Sequence, residues 1–140
     1  HFGFTGKKLS RFNQQGTRTD FQTYSRGKIV GVEGNKNNPI VIVHDGTEIH
    51  LINQEGVPFG QIHLPFTEVS DVSYSSSNNG KTIVSIIDGL ENNVYLYETT
   101  GSLLIKRPFE GETKVDVEST GAGLKITTVV GDFVIQYLEN

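Results

Sequence analysis

The chain has no cysteine, no methionine and no tryptophan, and alanine occurs once in 140 residues, at Ala122. Without thiols there are no disulfides and no thiolate metal sites, and the redox compartment stays open. With alanine so scarce, 16 glycines present and Val, Ile, Thr, Tyr and Phe carrying the apolar content, the composition argues for strands rather than helices. No apolar run approaches the roughly 20 residues of a membrane helix, so no membrane span is expected. The sequence also lacks an HExxH pair, a glycine-rich phosphate loop and a GxSxG elbow, so no metal, cofactor, nucleotide or nucleophilic chemistry is expected. It begins at His1 with neither an initiator methionine nor a signal-like segment, which reads as a processed or excised piece of a longer protein.

Charge is unevenly spread. Residues 1–40 hold seven basic and two acidic residues, a net +5, and the remaining hundred hold five basic and fourteen acidic, a net −9. The basic segment has no interleaved aromatic stripe, so it reads as a solvated face complementary to the acidic remainder, with no nucleic-acid partner.

What the sequence does have is a stride. Gly16 in "LSRFNQQG", Gly56 in "IHLINQEG" and Gly101 in "VYLYETTG" each close an alternating apolar stretch, with Leu9 and Phe12, Ile49 and Ile52, and Val94 and Tyr97 at matching offsets. The spacings are 40 and 45 residues, and Val134 and Tyr137 open a further copy. A period of this length marks an array in which each repeat is one supersecondary unit. Alternation and turn chemistry place strands at 69–74, 82–88, 93–98 and 102–108 in the middle unit, with hairpin turns at Asp45-Gly46, Asp88-Gly89 and Gly131-Asp132. The units run approximately 1–23 (partial), 28–65, 69–108 and 114–140 (partial), within a single repeat domain.

Four short antiparallel strands per 40–45 residues is the arithmetic of a β-propeller blade, as in WD-type repeats. The fold expected is all-β and β-propeller-like, with about three and a half four-stranded blades: a half-propeller or a propeller fragment. The stretch "VYLYETTGSLLIKRPFEG" resembles the quinoprotein-type (PQQ-like) propeller repeat, whose turn glycine is matched by Gly16, Gly56 and Gly101 and whose polar turn residue is matched by Asn13, Asn53 and Glu98. That family's docking tryptophans are missing here, so its redox cofactor is not carried over. An open set of blades leaves strand edges bare, which calls for a homo-oligomer, the rest of a larger propeller, or closure into a smaller barrel.

Candidate chemistry is sparse. His44, His50 and His63 fall within strands and read as strand-face residues. Asp71 and Asp116 occupy equivalent places in first strands, where a propeller's channel would be, and paired carboxylates there could serve acid/base work or hold a cation; Gly31 interrupts the set. "SSNNGKTI", from Ser76 to Ile83, resembles the Asp-box of sialidase-like propellers, with Asn78 in place of Asp and Ile83 in place of Trp. Pro65-Phe66 and Pro108-Phe109 end the fourth strands, with each Phe expected to tuck between blades. The function expected is therefore a non-catalytic binding or scaffold module, for a protein or glycan ligand, in a bacterial-type extracytoplasmic or envelope setting. The alternatives are a glycan-processing propeller enzyme and a purely structural assembly domain.

Overall fold

The computed structural model describes residues 1–35, 38–76, 82–105, 109–113, 115–120 and 123–139. These are all-β, with no helix, and form fourteen strands in four antiparallel sheets. The first sheet orders β1 (Phe2–Thr5), β2 (Lys8–Phe12) and β3 (Arg18–Thr23) side by side. The second is β4 (Lys28–Asn35), β5 (Asn38–Asp45), β6 (Glu48–Ile52) and β7 (Pro58–His63). The third is β8 (Val69–Ser76), β9 (Thr82–Asp88), β10 (Asn93–Tyr97) and β11 (Phe109–Glu110), and the fourth is β12 (Val115–Thr120), β13 (Gly123–Val130) and β14 (Phe133–Glu139). Each sheet is a meander in chain order, so none closes on itself and each keeps two edges.

Two turn types recur between the sheets. Gly6, Gly46 and Gly131 open two-residue hairpin loops at φ of 64°, 64° and 58°, the positive value that the first central residue of a type II′ turn needs. The second type sits one strand later. Asn13 and Thr17, Asn53 and Val57, and Glu98 and Ser102 each close a loop in which the glycine, at φ of 81°, 82° and 96°, donates its N–H back to the first residue's carbonyl. The order of these turns makes β1–β3 equivalent to β5–β7, and β12–β14 equivalent to β4–β6. Among the described residues the first sheet thus has no counterpart of β4 and the fourth none of β7.

The chain divides into two compact units, 1–64 and 65–140. In the first, Phe2, Phe4, Leu9 and Phe21 of the first sheet and Tyr24 pack against Val41, Val43, Ile52 and Ile29 of the second. These residues share a face because side chains alternate along a strand, and each fully buried aliphatic side chain contributes about 1.5–3 kcal/mol. The opposite face of the first sheet is polar: the buried Ser10 hydroxyl bonds Thr5 Oγ1 at 3.2 Å and Asp20 Oδ1 at 2.8 Å. In the second unit, Ile83, Ile87, Val94, Leu96 and Phe109 of the third sheet pack against Val115 and Ile126 of the fourth.

One strand lies elsewhere than expected. Residues 102–108 read as the closing strand of the third sheet; of the described residues there, Leu103 bridges Tyr97 and the Leu104 N–H donates to the Leu96 carbonyl at 2.8 Å, Leu104 and Ile105 pack on the core, and the named strand is β11, at Phe109. Val94 pairs with Phe109 as Ile49 pairs with Ile62, eight and six residues past the turn glycine respectively. Phe109 is therefore the counterpart of Ile62, not of Phe66, and Pro108 lies outside the described residues.

Candidate functional site

The turn glycines Gly16, Gly56 and Gly101 sit at loop corners, where they set the backbone and bring no chemistry. Asp71 and Asp116, equivalent by repeat, stand in different surroundings. β8 carries a bulge at Ser70, matching one at Val30 in β4, so Asp71 follows a kink just as Gly31 does. Asp71 is half-buried; that burial raises its carboxyl above the usual range, against hydrogen bonds from the Val72 backbone and Ser73. β12 runs without a register shift, and Asp116 is exposed opposite Thr127. No hydrogen bond or ion pair joins the two among the described residues. Of the segment Ser76–Ile83, residues 77–81, Asn78 among them, lie outside the described residues, while Ser76 and Thr82 pair across the β8–β9 hairpin.

The three strand histidines divide between faces. His44 donates from Nε2 to the Gly46 carbonyl at 2.7 Å and helps fix its own turn. On the other face of the second sheet, ladder pairing puts Glu48 opposite both Asp45 and His63, and His50 opposite Gln61. Glu48 accepts from Gln61 Nε2 at 2.9 Å and lies 2.7 Å from His63 Nδ1. Those two hydrogen bonds hold the Glu48 carboxyl below its ordinary value. The His50 ring packs 5.0 Å from the Tyr24 ring, and burial lowers its pKa against the opposing pull of Glu48 and Asp45. Tyr24 is pushed up by burial and by Asp45, whose Oδ1 accepts the Arg26 N–H at 3.0 Å. This end of the sheet is a polar patch able to hydrogen-bond a ligand, with a neutral imidazole at its inner edge. Among the described residues no three His, Asp or Glu are arranged to hold a metal ion.

A second feature is apolar and went unnoticed in the sequence. In each hairpin the second pair from the turn places an apolar residue on the third-strand side: Leu9, Ile49, Val94 and Val134. The first three are fully buried, Leu9 against the second sheet and Val94 against the fourth, whereas Val134 is 66% exposed. Its neighbours Phe133 and Leu138 are 75% and 77% exposed. The signal was legible by comparison between repeats. Phe133 replaces Lys8, Glu48 and Asn93 of the other units, and Leu138 replaces Asn13, Asn53 and Glu98, so β14 is apolar at two places where its counterparts are polar.

No family model and no curated protein matches this chain. A crystal structure of a protein of unknown function from Bacteroides caccae is similar in fold, with a TM-score of 0.55 at 12% identity, covering 93% of this chain and 49% of that one. The chain thus spans about half the length of the solved structure it matches, and the likeness is one of fold.

Proposed function

We propose that the chain is a non-catalytic binding or scaffold module built of propeller-type repeats, and that the apolar strand β14 takes up an extended polypeptide segment. The recurring Asn-to-Gly turns and four-strand order support the likeness to quinoprotein-type repeats as architecture. The observation that carries the binding reading is the bare apolar surface of β14, where Phe133, Val134 and Leu138 are 75%, 66% and 77% exposed. An extended segment paired with β14 would shield the flanks of these side chains, with main-chain hydrogen bonds giving affinity and alternate side chains giving specificity.

The test uses the chain's own closing strand as probe. A fluorescently labelled peptide of sequence VPFGQIHLP, residues 57–65, is titrated with micromolar protein and followed by anisotropy. Saturable binding that disappears in the Val134→Lys/Leu138→Lys variant supports the reading. Absence of binding at millimolar protein, or binding that the variant leaves unchanged, overturns it.

A further inference from the structure

We infer that the Asp71 carboxylate and the hydroxyls of Ser73 and Ser85 form a binding site for a monovalent cation the size of sodium, set into the face of the third sheet that packs against the fourth.

Ser85 raises the question. Four polar side chains are buried among the described residues, and three of them are bonded. Ser10 donates to Asp20, Asp88 accepts from the Leu90 N–H, and Thr128 donates to the Glu110 carbonyl. Ser85 is 1% exposed, and its Oγ has no partner. A buried hydroxyl left so costs free energy that an apolar side chain in its place would not. The repeat itself holds such a side chain. Ile42 stands between Gly31 and Leu51 in the second sheet as Ser85 stands between Ser73 and Leu96 in the third. Where the second sheet has glycine and isoleucine, the third has two serines.

Ladder pairing sets the surroundings. Residues opposite one another share a face, so Asp71, Ser73 and Ser85 lie on the side that carries Ile83, Ile87, Val94 and Leu96. That side is the one packed against Val115 and Ile126 of the fourth sheet. Ser85 therefore points between the sheets, with Ile83 and Ile87 before and after it on its own strand. Ser73 is its direct cross-strand neighbour, at a Cβ separation of about 4.5–5.5 Å, and Asp71 its diagonal one, at about 7–8 Å. The two serines do not bond each other; Ser73 instead bonds the Asp71 carboxylate. Two oxygens that share a hard cation at about 2.3–2.6 Å stand up to about 5 Å apart, a span that a cross-strand pair supplies.

Charge chooses the occupant. Asp71 is half-buried, and burial raises its carboxyl above the ordinary value against the hydrogen bonds from Val72 and Ser73. No cationic side chain pairs with it among the described residues. Residues 65–140 hold five basic and eleven acidic residues, a net −6, so the field around the site attracts cations. A water molecule would bond the three oxygens but leave the carboxylate charge unbalanced, whereas one positive charge balances it. A carboxylate with two hydroxyls is a hard, oxygen-only donor set, suited to an alkali or alkaline-earth ion and poor for zinc or copper. Calcium sites gather more carboxylates than this, so the ion is monovalent, with half-saturation expected on the order of 10 mM.

Urea midpoints test the site as sodium chloride replaces choline chloride at a constant total of about 0.5 M, where exposed charges are screened alike. The midpoint should rise with sodium and level off. Ser85→Ala gives opposite signs for the two cases. Without an ion it removes an unsatisfied hydroxyl and raises the midpoint in both salts. With one, it lowers the midpoint in sodium chloride and not in choline chloride. Asp71→Asn, close in shape, should flatten the sodium series, and the broadening of the sodium NMR line by the wild-type protein should disappear with it. An unchanged circular dichroism spectrum verifies the fold of each variant. A midpoint and a sodium line indifferent to both substitutions, or Ser85→Ala stabilising equally in the two salts, overturns the inference. A rise that requires millimolar calcium chloride and ignores sodium overturns the choice of a monovalent ion.

Discussion

Asn13 and Asn53, forty residues apart, hold equivalent turns with the same hydrogen bonds. Each Oδ1 accepts the backbone N–H groups two and four residues on, at 3.0 and 2.8 Å for Asn13 and at 3.0 and 2.9 Å for Asn53. Glu98, at the third such turn, keeps the backbone bonds but shows no matching side-chain bond among the described residues. Asn53→Ala should therefore cost about 0.5–1.5 kcal/mol, since its two donors can turn to water, while Asn53→Asp retains most of the stability. Glu98→Asn should stabilise by about 0.5 kcal/mol by giving the third turn the acceptor it lacks. Urea midpoints of the three variants check this, and a neutral Asn53→Ala would mean the side chain is incidental to the turn.

Gly16 and Gly56 share a backbone conformation but not a neighbourhood. A Cβ on Gly16 meets nothing within 4 Å, whereas one on Gly56 would enter the ring of Phe21. Gly16→Ala should lose about 1–2 kcal/mol, the cost of a left-handed conformation with a Cβ. Gly56→Ala adds overpacking of about 1–3 kcal/mol, because Phe21 is held against the first unit's core. The quantity to measure is the gap between the two variants in chemical denaturation. Equal losses would show that Phe21 yields freely.

The hairpins were legible because their determinants are local. A glycine at positive φ, flanked by alternating apolar residues, announces Gly6, Gly46 and Gly131 without reference to the rest of the fold. The closing strand of the third sheet was not, since "SLLI" alternates no worse than a true strand, and only the tertiary packing of Phe109, paired with Val94, sets the place of β11. At the polar patch, His50 and His63 within strands could be read from the sequence. The stacking of His50 on Tyr24 could not, because those rings meet only when the two sheets of the first unit pack. Asp71 and Asp116 looked alike by position and were separated by a bulge, which pattern reading does not register.

Phe109 does in two residues what β7 does in six. It pairs with Val94, lies 4.8 Å from the Tyr137 ring and is 1% exposed, while the next carbonyl, of Glu110, accepts from Thr128 Oγ1 at 2.6 Å. Phe109→Ala opens a cavity where the third and fourth sheets meet and should cost about 3–5 kcal/mol. Phe109→Leu, closer in volume, should lose less. Hydrogen exchange at the Val94 and Ile126 amides reports the effect: protection in residues 65–140 should fall with Phe109→Ala while residues 1–64 keep theirs. Loss spread evenly over the chain would contradict a core local to that unit.

His50 gives the first unit a pH dependence whose sign follows from its burial. Packed on Tyr24, its imidazole has a pKa below the ordinary 6.5, the desolvation outweighing the attraction of Glu48 and Asp45. The unfolded chain then binds more protons than the folded one at any pH between the ordinary value and the lower folded value, so stability falls as pH drops through that window. Glu48 adds to the loss in a separate range. Its folded pKa lies below the ordinary 4.5, so the stability it lends is present above 4.5 and disappears as pH falls through the folded value. The two contributions separate by mutation: His50→Gln should flatten the change in urea midpoint just below pH 6.5 and leave the acid limb below pH 4.5, whereas Glu48→Gln should spare the first and soften the second. A wild-type midpoint that stays level from pH 7.5 down to 5 would show that the Tyr24–His50 contact carries no titrating strain.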